Sequence, residues 1–502
     1  MNIAFAGRRA DGEKIYLFAA NRITKIRDVR WGDVLNIVEQ TADGWSRVKW
    51  GAEHFFIRTE HVVAERPVEV IFLDVGQGDG CIYVSAETGA DERIMIIDAG
   101  MADNMLGFLK WRFGKLKNEF RFHAAIITHP DQDHYKGFQP IFDHDKVRFT
   151  RVYHNGICER AIGDVLGPTD ASGKFLTAIV PTDAAMRALY ADAAVRGSKR
   201  YPKLMHTAFT SGRVDAIEML STKHGKKHAG KTWMPDFAPN DGRSSTIEVL
   251  APVPEGTTAN PRLRWFGERI GANDKNEAKT KNGHSIILRL TVGQLRVLFG
   301  GDLNRPAEDH LLRHYGGIGA TAPLADAVPT AAARLGADVM KCCHHGAADV
   351  TDEFIQAVHP LAYVVSSGDE ESHAHPRPDL LGRLGKLGRG TAPLILCTEI
   401  LRSTREKGRE EDFKALRTLD ARIDALTSEP ERRVLQDARR ELQDHIQRRN
   451  VGVYGAITLR SDGEHMELSF RLEAPRQKQL WQVYALNHDA ARGWVLDEPD
   501  GH

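Results

Sequence analysis

Short apolar runs broken by glycine-, proline- and aspartate-containing turns dominate this chain, and most are too short to be helices. Starting at Val68, Cys81, Arg93, Ala124, Arg148, Thr246, Ile286, Gln294, Ala337, Leu361 and Leu394, such runs read as buried strands. Between the third and fourth, Met105, Phe108, Leu109, Phe113 and Leu116 recur at helical spacing and predict an amphipathic helix over 104–116. Two further segments, 182–194 and 204–211, read as partly helical. Near the start, Val34–Val38 and Ser46–Trp50 flank Asp43-Gly44, a hairpin signal, and His54–Ile57 follows as another strand. Near the end, Asp462-Gly463 joins two alternating runs, 454–460 and 466–472, in the same way. Just before that hairpin, residues 409–449 are charged and helix-forming, with Pro430 opening a second helix. The narrow stripe Val434, Leu435, Ala438, Leu442 and Ile446 suits a helical hairpin packed on a neighbour or on a second copy in a homodimer.

One strand end carries more chemistry than any other. Ala124–Thr128 runs into His129-Pro130-Asp131-Gln132-Asp133-His134, with Gly137 beyond it. Pro130 bars a continued ladder and Gly137 lets the chain turn away. A helix N-cap needs one aspartate, which leaves both histidines unexplained. Imidazoles and carboxylates converging at a strand end can hold metal ions. Other strands end on similar groups: His154-Asn155-Gly156, Gly300-Gly301-Asp302-Leu303, His344-His345-Gly346 and, after a longer loop, His375-Pro376. Asp74-Val75-Gly76-Gln77-Gly78-Asp79-Gly80 follows the first of the main strands. Its glycines permit a tight turn with close backbone approach, with Asp79 near the metals as the functional alternative. Cys342 and Cys343 adjoin the H-H-G motif, where small core-packing thiols are favoured over metal ligands.

Composition narrows the class. With 42% hydrophobic and 27% charged residues over 502 positions, the chain reads as a globular protein of two or three domains. Its formal net charge of zero provides no global field toward nucleic acid or an anionic membrane. No apolar run reaches membrane-spanning length, and the N-terminus does not have the order of a signal peptide. Five scattered cysteines read as reduced thiols, so the expected compartment is the cytoplasm. Basic residues do cluster locally: Arg196, Lys199, Arg200, Lys203, Lys223, Lys226, Lys227 and Lys231. Solvated surface is one reading of these; a lid over a phosphodiester is the other.

The H-x-D-x-D-H loop resembles the signature of the metallo-β-lactamase fold, with Asp131 where the usual second histidine stands. That variant, with the D-V-G-Q-G-D opening, is similar to the hydrolase domain of ComEC-type competence proteins, whose full-length members are membrane proteins. The resemblance implies an α/β fold, an αββα sandwich with a two-metal site at one edge. His129 and Asp131 would hold one divalent ion, with His154 as a third ligand. Asp133, His134 and His344 or His345 would hold the other, and Asp302 would bridge them; His344, nearer the strand, is favoured of the two. Asp133 and His375 are the catalytic candidates, His375 orienting the substrate or donating a proton. His284 stands where relatives often carry asparagine. Zinc is the default for such ligands, and Asp131 shifts preference toward manganese. Residues 1–66 resemble, in outline, a bacterial SH3-like β module, a docking site for a protein partner, with Trp31, Trp45 and Trp50 divided between its core and a contact face. Residues 67–405 would form the hydrolase domain with an insertion near 157–245, residues 406–450 a C-terminal helical insertion, and residues 451–502 a β-hairpin and tail. The expected function is metal-dependent hydrolysis by a metal-activated water, of a phosphodiester, possible substrates including nucleic acid. Hydrolysis of another ester (lactone, thioester or phosphorylcholine ester), or an inactive binding protein, are the alternatives.

Overall fold

The computed structural model describes residues 2–496, except 10–11, 51–52, 268, 271–273, 276, 369–374, 399–409, 427, 429, 440, 443–454 and 477–478. Two large sheets face each other. Sheet I has ten strands, in spatial order Val214–Met219, Val147–His154, Phe120–Ile127, Ile94–Ala99, Gly80–Val84, Val68–Phe72, Ile457–Ser461, His465–Arg476, Gln479–Asp489 and Gly493–Leu496. Sheet II has eight: Lys226–His228, Lys231–Trp233, Ser245–Ala251, Ile287–Val292, Leu295–Phe299, Val339–Lys341, Ala362–Val365 and Leu394–Cys397.

The unbroken apolar runs follow from burial on both faces of each sheet. Along sheet I, Phe72, Tyr83, Met95, Ile97 and Ile126 point inward against Val249, Leu288, Val297 and Phe299 of sheet II. Their neighbours in sequence, Ile71, Ile82, Ile96 and Ile127, point outward onto Met105, Phe108 and Leu109 of the helix Asn104–Arg112 and onto Phe138. On the far side of sheet II, Leu298, Met340 and Val365 pack against Leu311, Leu335, Phe354 and Leu380 from four further helices. The layering is helix, sheet, sheet, helix.

Residues 157–245, expected as an insertion, are woven into this frame. Val214–Met219 pairs in parallel with Val147–His154 as the edge of sheet I. The helices Asp183–Ala191 and Arg200–Thr210 bury Met186, Tyr190, Tyr201, Leu204 and Met205 in the outer core. The expected C-terminal tail is likewise structured. Ile457–Ser461 pairs antiparallel with Val68–Phe72, and Gln479–Asp489 and Gly493–Leu496 extend the sheet beyond the foreseen hairpin. Of the helical segment, Glu410–Ala425 is helical and Pro430 opens the next helical run, where Val434 is 67% exposed. Ile446, at the end of the apolar stripe, lies outside the described residues. No helix among the described residues is long and apolar enough to cross a membrane.

Residues 2–63 form a separate seven-stranded sheet with its own core of Leu17, Leu35, Val48 and Ile57. Thr41 pairs with Trp45 across the expected turn, where Gly44 has φ 82°. Trp31 and Trp45 are buried and Trp50 is half-buried, so two of the three fill the interior. The module is fastened to sheet I by a buried charge cluster. The Arg460 guanidinium donates to Glu69 (2.8 and 2.6 Å), to Asp33 (2.9 Å) and to the Trp31 carbonyl. Arg112 adds a bond to Glu69 at 3.1 Å. Burial alone would raise the Glu69 pKa, but Arg460, Arg112 and Arg30 outweigh it and hold the carboxyl well below its usual range.

Arg460→Ala would leave Glu69 and Asp33 buried without their shared counter-ion, and removing one partner of such a pair costs about 3 kcal/mol. Urea denaturation of the intact chain should show a loss of that order. A loss under about 1 kcal/mol, the worth of an exposed pair, would show that the junction is solvated.

Candidate functional site

Parallel pairing brings the chemistry together. Met95–Ile97 runs beside Ala124–Ile126, and Ala124–Ile127 beside Arg151–His154, so Asp98, His129 and His154 emerge at one edge of sheet I. In sheet II, Val297–Phe299, Val339–Lys341 and Ala362–Val364 run in parallel, and Asp302 and His344-His345 follow their ends. The two edges are pinned together. Ile286 N donates to the Thr128 carbonyl at 3.0 Å, and Ser285 Oγ accepts from Asp302 N at 3.0 Å while lying 3.2 Å from His129 Nδ1.

Asp302 Oδ2 is the focus of the site. It lies 3.1 Å from His134 Nε2, 3.3 Å from His345 Nε2, 3.8 Å from His129 Nε2 and 4.0 Å from His344 Nε2. Asp133 Oδ2 is 3.5 Å from His345 Nε2. The ligand atoms of Asp133, His134, Asp302 and His345 all fall within 4.8 Å of one another. A surrounding set orients the rings. Asp98 accepts from Thr128 N (2.8 Å), Thr128 Oγ1 (2.7 Å) and His134 Nδ1 (2.8 Å). Asp79 Oδ1 stands 3.0 Å from His345 Nδ1, and Lys341 Nζ bonds the same carboxylate. Gly78, at φ 109°, makes this possible: a Cβ there would come within 1.8 Å of the Asp133 carbonyl oxygen.

The charges do not balance within the chain's fixed groups. Among the described residues, Asp79, Asp98, Asp131, Asp133 and Asp302 face two ammonium groups, those of Lys281 and Lys341, and otherwise imidazoles. Buried carboxylates require matching positive charge. Burial would raise the Asp302 pKa, yet His134, His345 and His344 hold it well below the usual range. Against the opposing effect of burial, Asp302 with Asp98 pushes His134 up, and Asp302 with Asp79 does the same for His345. Meanwhile Asp302 Oδ1 and His129 Nε2 are buried without a hydrogen-bond partner. Unpartnered atoms around a shared carboxylate, beside imidazoles that must otherwise carry the balancing charge, fit a divalent cation.

The expected residues separate into three groups. His129, Asp133, His134, Asp302 and His345 are brought together. His344, the favoured ligand of its pair, is the outer one: its Nδ1 lies 3.1 Å from Asp349 and its ring remains 27% exposed. The inference from strand position failed because both histidines have positive φ (48° and 52°) and so do not alternate as strand residues would. Asp131 Oδ2 is 3.7 Å from His129 Nε2, but its other oxygen is bonded by Lys281 Nζ, which also lies 3.4 Å from Glu159. His154, expected as a third ligand, stands apart from both groups of ligand atoms. It is fully buried, its Nδ1 accepts from Gly156 N at 3.1 Å, and burial beside His224 pushes its pKa down to about 3. His375 is half-buried at the rim, its ring 5.9 Å from that of His344; His373 lies outside the described residues. His284 is structural: it bonds the Arg264 carbonyl at 2.7 Å and lies against Phe266. Cys342 and Cys343 are buried in the outer core of sheet II, where burial pushes both thiols up.

Asp98, Ser285, Lys281 and Lys341 carry no role in the sequence reading. Asp98 alone left a signal, a carboxylate closing the strand beside the signature. The basic cluster proves to be engaged at close range. Lys223 bonds the Gly256 carbonyl, Lys226 bonds Asp241, Lys227 bonds the Thr222 carbonyl and Thr232, and Lys231 lies 3.5 Å from Glu248. Only Arg200 reaches the signature loop, at Gln132 (2.6 Å).

Comparison with known proteins adds a distant relative. No family model matches the chain. Over 175 residues, 33% of its length, the chain is 26% identical to the competence protein ComA of Neisseria gonorrhoeae. The match spans 22% of that protein, so most of the relative has no counterpart in it. Among solved structures, a CmlA beta-hydroxylase mutant aligns over 78% of each chain with 9% identity and a TM-score of 0.31.

Lys281 competes for Asp131 with any cation that carboxylate would bind. Lys281→Met should therefore tighten binding of a divalent ion by about tenfold, the worth of one pK unit of charge interaction. Calorimetric titration with manganese checks this. Unchanged affinity would take Asp131 out of the ligand set.

Proposed function

We propose that this protein is a metal-dependent hydrolase of the metallo-β-lactamase type that cleaves phosphodiesters. The observation that carries the reading is the convergence of His134, His345 and Asp133 on Asp302 Oδ2 at the carboxyl ends of two facing sheets. The helix–sheet–sheet–helix layering and the similarity to the competence protein support it. His134, His345, Asp133 and Asp302 would hold one divalent ion, zinc or manganese. His129 and Asp131 would hold a second and weaker one, sharing Asp302 and displacing Lys281. Bound there, such ions supply an acidified water and neutralise charge on the phosphoryl oxygens.

The chain's own residues do the rest. Asp98 fixes the His134 ring through Nδ1, leaving Nε2 aimed at Asp302. Asp79, itself held by Lys341, does the same for His345. Asp133 keeps 20% of its side chain exposed and accepts from His345, which outweighs burial and keeps the carboxylate ionised. We assign Asp133 a second role beside ligation, as acceptor of a proton from the attacking water. To His375, whose ring lies 5.9 Å from that of His344, we assign orientation of the substrate or donation of a proton to the leaving oxygen. Because the lysines of 223–231 are occupied locally, we assign no polymer-binding lid to them. Nucleotide-sized diesters are then the natural first substrates, and long nucleic acid is one arm of the test.

With manganese or zinc added, the protein should hydrolyse a bis-nitrophenyl phosphate diester in preference to a lactone or a thioester. Asp302→Ala should abolish turnover and lower the bound metal by mass spectrometry. The far-ultraviolet circular dichroism should persist, because the sheets do not depend on that carboxylate. Full metal retention in Asp302→Ala, or turnover of the lactone alone, would overturn the reading.

A further inference from the structure

A second chamber lies away from the metal-type cluster, where the N-terminal module meets sheet I. It encloses about 320 Å³. One wall comes from the strands Lys25–Val29, Val34–Thr41 and Trp45–Trp50; the other comes from Thr458, Arg460, Arg471 and Trp481 of sheet I and from the helix Asn104–Arg112. The volume is at the lower end of small-ligand pockets.

The lining is unusual in its charge. Arg27, Arg30, Lys49, Arg112, Arg460 and Arg471 line it, against only Asp33 and Glu69 among acidic residues. Those two carboxylates are already committed to Arg460, Arg112 and Arg30. The Nε atoms of Arg27 and Arg30 are buried without a hydrogen-bond partner. Burial and the neighbouring Arg460 push the Arg30 pKa down to about 10, against the opposing effect of Asp33, Glu69 and Glu467. The second feature is aromatic. Trp50, Trp111 and Trp481 all face the chamber. The Arg30 guanidinium lies 3.7 Å from the centre of the Trp481 ring and that of Arg27 lies 4.6 Å from the centre of Trp50. Guanidinium forks recognise phosphoryl oxygens, and indole faces accept a planar base.

We propose that this chamber binds a small aromatic phosphate of the nucleoside monophosphate class. Its phosphoryl group would lie among the guanidiniums and its base would stack on an indole face. The two halves act together: a phosphoryl group would meet the orphaned Nε atoms of Arg27 and Arg30, and a base would cover the exposed Trp111 ring.

The test uses the full chain with AMP, adenosine and inorganic phosphate as probes, read by calorimetry and by tryptophan fluorescence. AMP should bind one per chain and quench the fluorescence, with adenosine and phosphate each at least about tenfold weaker, a difference of about 1.4 kcal/mol. Lys49→Glu, at a half-buried position, should weaken AMP by a similar factor while the chain stays folded; Trp111→Ala, at a 59% exposed ring, provides a second variant that cannot collapse the core. Asp302→Ala should leave AMP binding unchanged. The proposal is overturned if AMP does not bind at millimolar concentration, or if it binds no better than phosphate. It is equally overturned if both chamber variants retain full affinity, or if Asp302→Ala removes it, which would move the ligand to the metal-type cluster.

Discussion

Buried negative charge is the constraint on which the site depends. Asp79, Asp98 and Asp302 are each at most 6% exposed, within one small volume. Carboxylates taken from water at that density are tolerated only when positive charge meets them at close range. The fold meets the condition by stages. Lys341 reaches Asp79 from sheet II, Lys281 covers Asp131 from outside, and the imidazoles crowd Asp302 from both sheets. That construction needs both sheet edges in register, which the bond between Ile286 and Thr128 enforces, and it needs Gly78 where no side chain would fit. An arrangement this demanding, with donor atoms still unpaired at its centre, is better matched to holding cations than to stability alone.

The remainder of the molecule supports that edge from a distance. The strand Ile457–Ser461, late in the chain, sits beside Val68–Phe72 in the middle of sheet I, so this late strand is part of the frame that carries the cluster. The same strand supplies Arg460, which fastens the N-terminal module through Glu69 and Asp33. One guanidinium thus ties together segments nearly the whole chain apart. Removing the module would uncover this charge cluster, so a truncation starting at residue 67 carries a folding penalty.

Much of this was legible in the sequence because it is local. Strands buried on both faces appear as unbroken apolar runs, and the candidate ligands follow directly at their ends in His129–His134, Asp302 and His344-His345. What escaped was of two kinds. Long-range partners leave no local mark: Lys281, Lys341 and Ser285 reach the cluster only through the meeting of two sheets, whereas Asp98 left the carboxylate that closes its strand as its one signal. Backbone conformation also overrode simple rules. His344 and His345 both adopt positive φ, so nearness to the strand did not tell which of them faces the cluster. His154 ends a strand at the right edge, yet its ring turns back onto its own loop. The basic run 223–231 left two readings open, since charge counted along a sequence says nothing of partners such as Asp241 and Glu248.

The most direct test of the central claim is anomalous diffraction from crystals grown with manganese. The account predicts a strong peak within coordination reach of His134 Nε2, His345 Nε2, Asp133 and Asp302. A weaker peak between His129 and Asp131 should accompany it, with Lys281 displaced. A cluster that stays without anomalous signal at saturating manganese and zinc, its histidines still paired to Asp302, would contradict the account.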